Sequence, residues 1–92
     1  MDQTTTPQST QAAVNSATEP DKEIDTSGLK CPLPILRAKK ALTDMESGQI
    51  LRVISTDPAS VRDFQAFAKQ TGNELISQSQ LEQSWAHLLR RR

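Results

Sequence analysis

The segment GLKCPLPILRAKKAL, residues 28–42, contains the only cysteine of the chain, Cys31, at the start of a helical pattern. Apolar residues then recur at spacings of three and four, which predicts an amphipathic helix over residues 32–46. The apolar face consists of Ile35, Ala38, Ala41, Leu42 and Met45. Pro32 and Pro34 fit only in the first turn, where the amide hydrogen that proline lacks would have no helical partner. The segment therefore predicts a thiol at the N-terminus of a helix.

Turn-forming residues and β-branched runs divide the sequence around this helix. A short strand is expected at residues 23–25, followed by a turn in which Gly28 adopts positive φ. Gly48 is expected to end the first helix. Residues 49–56 are rich in β-branched side chains and predict a buried strand.

The second half of the sequence predicts one more helix and two closing strands. Asp57 is expected to cap the helix, Pro58 to occupy its first position and Gly72 to end it. The strands are expected at residues 73–77 and 81–90, joined by a polar turn near residues 77–80. The resulting order, β-α-β-α-β-β, predicts a two-layer α/β sandwich with both helices on one face of the sheet.

The length of 92 residues predicts one small domain preceded by a tail. Residues 1–22 are dominated by threonine, serine, glutamine and proline and cannot bury enough apolar surface to offset their ordering entropy. They lack the basic start and apolar run of a secretory signal. We therefore expect a disordered tail over residues 1–22 and a folded domain over residues 23–92.

Charge and cysteine content exclude several functional classes. The 11 basic and 11 acidic residues balance, which argues against direct nucleic-acid binding as the main task. One cysteine and one histidine, His87, are too few for a structural zinc site, so no metal or organic cofactor is expected. A single thiol favours a cytoplasmic location, and no apolar segment is long enough to cross a membrane.

The surroundings of Cys31 in the sequence predict a reactive thiolate. A helix N-terminus favours negative charge, and the amides of Leu33 and Ile35 are available to point at the sulfur. Lys30 and Arg37 add positive charge. These features predict that the pKa of the Cys31 thiol lies below its ordinary value.

The sequence lacks a second cysteine and a convincing histidine base, which limits the reactions that the Cys31 thiol could perform. Pro34 stands where a thioredoxin-like enzyme has its second cysteine, and His87, expected to be structural or on the surface, is the only histidine available as a base. The remaining chemistry is to accept sulfur as a persulfide and hand it to another thiol. A neighbouring cysteine would attack such a persulfide and release its sulfur.

The Gly-Leu-x-Cys-Pro-x-Pro start and the later Asp-Pro helix opening resemble the TusA (SirA-like) sulfur-carrier family over residues 24–89. This resemblance implies a four-stranded mixed sheet and a persulfide on Cys31. Residues matched to the motif around the cysteine are Gly28, Leu29, Pro32 and Pro34. Leu33 occupies the variable position, where the best-known tRNA-modifying members have glutamate.

The same resemblance implies partners of defined chemistry. Sulfur would come from a cysteine desulfurase or a rhodanese-like protein and pass to a DsrE-type or other thiol acceptor, for tRNA thiolation, sulfur oxidation or cofactor assembly. A monomer is expected, because the thiol must meet two partners in turn. Leu33, Leu36 and Arg37, with Lys30 beside Cys31, are candidates for the docking surface.

Two alternatives remain open at this stage. The domain is either a carrier or a protein-interaction module in which Cys31 is inert. A third possibility, RNA binding through the basic residues 90–92, is disfavoured because the sequence offers few aromatic residues for base stacking.

Overall fold

Six helices and strands follow one another along residues 19–92, the part of the chain that the computed structural model describes. The predicted disordered tail falls mostly on residues 1–18, which lie outside the described residues. The elements in chain order are β1 (Lys22–Asp25), α1 (Leu33–Thr43), β2 (Ile50–Ser55), α2 (Ser60–Thr71), β3 (Glu74–Gln80) and β4 (Trp85–Arg90). Their order confirms the predicted β-α-β-α-β-β arrangement.

The four strands form one mixed sheet in the order β1-β2-β4-β3. β1 pairs parallel to β2, with Ile24 opposite Val53, whereas β4 runs antiparallel to both β2 and β3. A parallel pair needs a crossover connection, and α1 provides it, which places this helix on a face of the sheet. The two-layer α/β sandwich with a four-stranded mixed sheet is therefore confirmed.

The core lies between the sheet and the two helices. Phe64 and Phe67 of α2 meet edge to face, with their ring centroids 6.1 Å apart. The buried apolar residues of this layer are Ala38, Ala41, Leu42, Met45, Leu51, Val53, Phe64, Phe67 and Leu89, with Ile24, Ile35, Ala68 and Leu75 at their margins. The apolar face predicted for α1 is thus the face that packs on the sheet.

Three predicted boundaries need correction. The helix α1 ends at Thr43, before the predicted residue 46, and Gly48 lies in the following turn with φ +90°. Sheet contacts already begin at Asp21, whose amide donates to the Ile50 carbonyl at 2.8 Å and whose carboxylate accepts from the Ile50 amide at 2.8 Å. The first strand and its sheet contacts therefore begin before residue 23, where the strand was predicted to start.

The third correction concerns the turn between the closing strands. Residues 77–80, predicted as a turn, belong to β3 and pair with β4 from Ser77 to Gln80. The turn lies at residues 81–84, where the Leu81 amide donates to the Ser84 carbonyl at 2.7 Å. Pairing with a central strand satisfies the backbone of this polar segment and overrides its weak strand propensity.

His87 is buried between α2 and the sheet and has a structural role. Its ring stacks on Phe64, with centroids 4.6 Å apart. The Gln78 amide nitrogen donates to Nδ1 at 3.1 Å, so Nε2 carries the hydrogen and donates to Ser60 Oγ at 3.0 Å. Burial lowers the pKa of His87 to about 4, which leaves the ring neutral at physiological pH.

Within residues 19–92, none of the helices has both the length and the apolar character that a membrane span requires.

Candidate functional site

Cys31 lies on the surface in the loop that connects β1 to α1. Hydrogen bonds to the β2–α2 connection hold this loop in place. Gly28, with φ +82°, donates its amide to Thr56 Oγ1 at 2.8 Å, and the Cys31 amide donates to Asp57 Oδ2 at 2.7 Å. The cysteine backbone is thus held in place while its side chain remains exposed.

Asp57 ties the two loops together instead of capping α2 as predicted. Its Oδ2 accepts from Cys31, and its Oδ1 accepts from the Ala59 amide at 3.1 Å. The helix α2 begins at Ser60, and its N-cap, Ala59, makes no side-chain cap hydrogen bond. The sequence indicated a local partner for this carboxylate, but one of its oxygens binds a residue 26 positions earlier.

The amide of Leu33 does not point at the sulfur. It donates to the Lys30 carbonyl at 2.8 Å, which closes a turn immediately before α1. That backbone partner removes one of the two donors that the sequence suggested for a thiolate.

The thiol faces a shallow cleft between α1 and α2. The cleft has a volume of about 190 Å³ and is lined by Cys31, Pro32, Ile35, Asp63, Ala66, Phe67 and Gln70. Most of these side chains are apolar, and Asp63 is the acidic member. Asp63 could not be identified from the sequence, because nothing in the local pattern of α2 indicates that it shares a cleft with Cys31.

The pKa of the Cys31 thiol is raised above its ordinary value, contrary to the prediction. The neighbouring Asp63 carboxylate in the cleft is the main cause, followed by partial desolvation and by the negative charge of Asp57. The prediction counted the cations nearest in sequence, Lys30 and Arg37. In the fold, two carboxylates from the second half of the chain outweigh them.

The predicted docking residues are exposed, three of them on α1 and Lys30 in the loop before it. Leu33 and Leu36 are 42% and 52% exposed, and Lys30 and Arg37 are exposed as well. Arg37 lines a different cleft, between α1 and β1. Cys31 and Pro32 therefore share the cleft between the helices, whereas the two leucines and Arg37 lie outside it.

The basic residues at the C-terminus make contacts within the fold. Arg90 forms a salt bridge with Glu74 at 2.7 Å, and Arg91 donates through Nε to the Leu42 carbonyl at 2.7 Å. The Arg92 amide donates to Asn73 Oδ1 at 2.8 Å. Each of the three C-terminal arginines therefore makes a contact within the domain. In the described part of the chain, no three His, Cys, Asp or Glu side chains are grouped so that they could hold a metal ion.

Comparison with known proteins agrees with this geometry. A family model described as "Sulfurtransferase TusA" matches residues 22–91. The sulfur carrier protein TusA of Allochromatium vinosum is 73% identical over 56 residues, which cover 61% of this chain and 74% of that protein. A putative sulfur carrier protein of Neisseria meningitidis serogroup A is 54% identical over 57 residues, or 62% of this chain and 77% of that protein.

A solved structure has the same fold. The crystal structure of a SirA-like protein from Desulfitobacterium hafniense superimposes with a TM-score of 0.67 and 27% identity. The superposition covers 75% of this chain and 95% of that one.

Proposed function

We propose, from the premise that this chain belongs to the TusA family of sulfurtransferases, that Cys31 carries sulfur as a persulfide between a donor and an acceptor protein. The single observation that supports this most directly is the exposure of Cys31 on a loop whose backbone is fixed by Asp57. A carrier must present its sulfur to two partners in turn, and an exposed thiol on a rigid loop meets that requirement.

The transfer needs no second catalytic group on this chain. The Cys31 thiolate attacks the outer sulfur of the donor's persulfide, a new S–S bond forms, and the donor's S–S bond breaks. The electron pair of the broken bond stays on the donor sulfur, which leaves as a thiolate and takes up a proton. In the second step an acceptor thiolate attacks the outer sulfur now held by Cys31, and Cys31 leaves as the thiolate. No net oxidation occurs.

The sequence has a single cysteine, so no second thiol of this chain can react with the persulfide on Cys31. An adjacent thiol would attack the inner sulfur, release sulfide and leave a disulfide. Pro34, which stands at the position of such a partner, is buried and forms part of the first turn of α1. The first turn of α1 therefore supports the Cys31 loop and offers no thiol that could compete for its sulfur. The same supporting role is proposed for Gly28, Leu29, Pro32 and Leu33.

The partners follow from the chemistry of the two steps. The donor is a protein that forms a cysteine persulfide, either a cysteine desulfurase or a rhodanese-like protein, and the acceptor is a DsrE-type or other protein thiol. The sulfur would serve tRNA thiolation, sulfur oxidation or cofactor assembly in the cytoplasm, with the carrier acting as a monomer.

The exposed side of α1 is proposed as the docking surface for at least one partner. Leu33 and Leu36 expose apolar side chains on the helix that follows Cys31, and Lys30 and Arg37 are exposed near them in the sequence. Leu36→Glu is expected to slow sulfur acceptance or transfer, while Leu81→Glu, at an exposed leucine in the β3–β4 turn, leaves both rates unchanged. Equal rates for the two variants, with the fold intact by circular dichroism, would remove this surface from the proposal.

Intact mass spectrometry tests the carrier function itself. After incubation with a cysteine desulfurase and cysteine, the protein is expected to gain the mass of one sulfur atom, which a reductant removes. The Cys31→Ser variant gains nothing. A wild-type protein that also gains nothing would reject the carrier and favour an interaction module in which Cys31 is inert.

A further inference from the structure

The loop that carries Cys31 is held by the end of β2 and by the connection that follows this strand. Thr26, which is buried, donates its amide to the Ile54 carbonyl at 2.8 Å and its hydroxyl to the same oxygen at 2.6 Å. The Gly28 amide donates to Thr56 Oγ1 at 2.8 Å, and the Cys31 amide is held at the far end of the loop. The loop is therefore fixed at its start, its middle and its end, and Thr56 provides the middle contact.

Packing does not hold the middle of this loop. Gly28 has φ +82°, and apart from its chain neighbours no described residue comes within 4 Å of the position that a Cβ would occupy there. The Leu29 amide closes the turn by donating to the Thr26 carbonyl at 3.0 Å, which is a bond within the loop itself. The hydrogen bond to the Thr56 hydroxyl, in contrast, joins this turn to the β2–α2 connection.

Thr56 is itself held between residues that reach the core. Ser55, which precedes it, is buried, and its Oγ accepts the amide of Asp57 at 3.1 Å. The Asp57 carbonyl accepts the amide of Ser60 at 3.0 Å, and the buried Ser60 hydroxyl is hydrogen-bonded in the core. A β-branched side chain such as threonine also has a restricted χ1. Although Thr56 is exposed, its hydroxyl therefore has a defined position.

We propose that Thr56 is a positioning residue for sulfur transfer, because its bond to Gly28 fixes where the Cys31 sulfur lies when a partner protein docks. The proposal rests on the carrier function and adds to it a residue that acts through the loop. In the transfer, a bond forms between Cys31 Sγ and the donor's outer sulfur while the donor's own S–S bond breaks, and the donor leaves as a thiolate. The reacting sulfurs must meet about 3–3.5 Å apart with their orbitals aligned. A docked protein cannot adjust freely to a displaced thiol, so the position of the loop affects the transfer rate.

Single-turnover transfer from a persulfide-loaded cysteine desulfurase tests this proposal on the full chain. Thr56→Val removes the hydroxyl with little change of shape, and the rate at saturating donor is expected to fall by about threefold to tenfold, the usual net effect of one lost hydrogen bond. Thr56→Ser keeps a hydroxyl and should restore the wild-type rate. The donor concentration that gives half of the maximal rate should be the same in all three proteins, because the docking surface is unchanged.

Two comparisons separate positioning from a general structural effect. Iodoacetamide is small and can approach the thiol from many directions, and Thr56 carries no charge, so Cys31 should be alkylated at the same rate in wild type and in Thr56→Val. The matched control is Thr43→Val, which removes another exposed threonine hydroxyl, one that donates to the Lys39 carbonyl at the end of α1. This variant should transfer sulfur at the wild-type rate.

Equal transfer rates in wild type and Thr56→Val would overturn the proposal, as would a serine variant that is as slow as the valine variant. A change confined to the half-saturating donor concentration would also overturn it, since Thr56 would then be a docking contact. An equal loss of alkylation and transfer would do the same, because it would indicate a general effect on the thiol. If Thr56→Val does not fold, Thr56→Ala, which also lacks the hydroxyl, is judged by the same criteria.

The outcome is separable from the proposed function. Wild-type protein that takes up sulfur from the desulfurase, with variants of Thr56 that transfer it equally fast, remains a carrier without this positioning residue. Wild-type protein that takes up no sulfur rejects the carrier itself.

Discussion

The buried ring of His87 is expected to make the domain sensitive to mild acid. Its pKa is about 4 in the folded protein and about 6.5 in an unfolded chain. A histidine whose pKa is lowered by folding contributes its full stability above pH 6.5, and that contribution falls as the pH drops from 6.5 towards 4. At about 1.4 kcal/mol per pKa unit, protonation of the unfolded state costs the fold about 3 kcal/mol by pH 4. This is a large fraction of the stability of a small domain.

Denaturant unfolding between pH 7.5 and pH 4.5, followed by the fluorescence of Trp85, measures this loss. The control variant, His87→Gln, has no titrating ring, so its stability should be lower at neutral pH through lost stacking on Phe64 and should depend less on pH. Carboxylates such as Asp25, whose pKa is lowered by hydrogen bonds from Ser27, titrate equally in both proteins. Parallel curves for wild type and His87→Gln over this range would refute the assignment of the pH dependence to His87.

Two further predictions concern the loops. Asp57→Ala removes the acceptor of two backbone amides and is expected to lower the free energy of unfolding by about 1–3 kcal/mol, with faster amide hydrogen exchange at Cys31 as the local readout. An unchanged exchange rate at that amide would contradict the proposed anchoring. Gly72→Ala is expected to cost about 1 kcal/mol or more, because φ is +82° and the new Cβ would lie 2.8 Å from the Arg92 side chain. Gly48→Ala, with φ +90° but open space around it, should be the milder change in the same denaturant titration, and the reverse order would contradict this explanation.

The helices and the buried strand could be predicted from the sequence because their signals are local. Apolar spacing in α1 places Ala38 and Leu42 on one face, and both are buried. Gly72 ends α2 in the left-handed conformation, as its position after the last apolar turn indicated. Propensity and periodicity act within one element, so the sequence of that element carries the information.

The bounds of the two closing strands were harder to predict from the sequence, because these strands are defined by pairing with residues distant in the chain. Ser77, Gln78 and Ser79 resemble a turn in composition, yet β4 pairs with all three. Gln78 also donates to His87 Nδ1 and to the Val61 carbonyl, so a polar side chain satisfies two buried acceptors. This role of Gln78 can be recognised only when its hydrogen-bond partners are known. The sequence alone predicted that the residue lies in a polar turn.

The protonation state of Cys31 shows the same limit at the functional site. Lys30 and Arg37 are close to the cysteine in sequence, but position in the chain does not fix where a charged group ends up. Asp57 reaches the Cys31 backbone from 26 residues away, and Asp63 lies against the thiol from the next helix. The helix N-terminus and its cations favour a thiolate, the carboxylates oppose it, and in the isolated fold the carboxylates prevail.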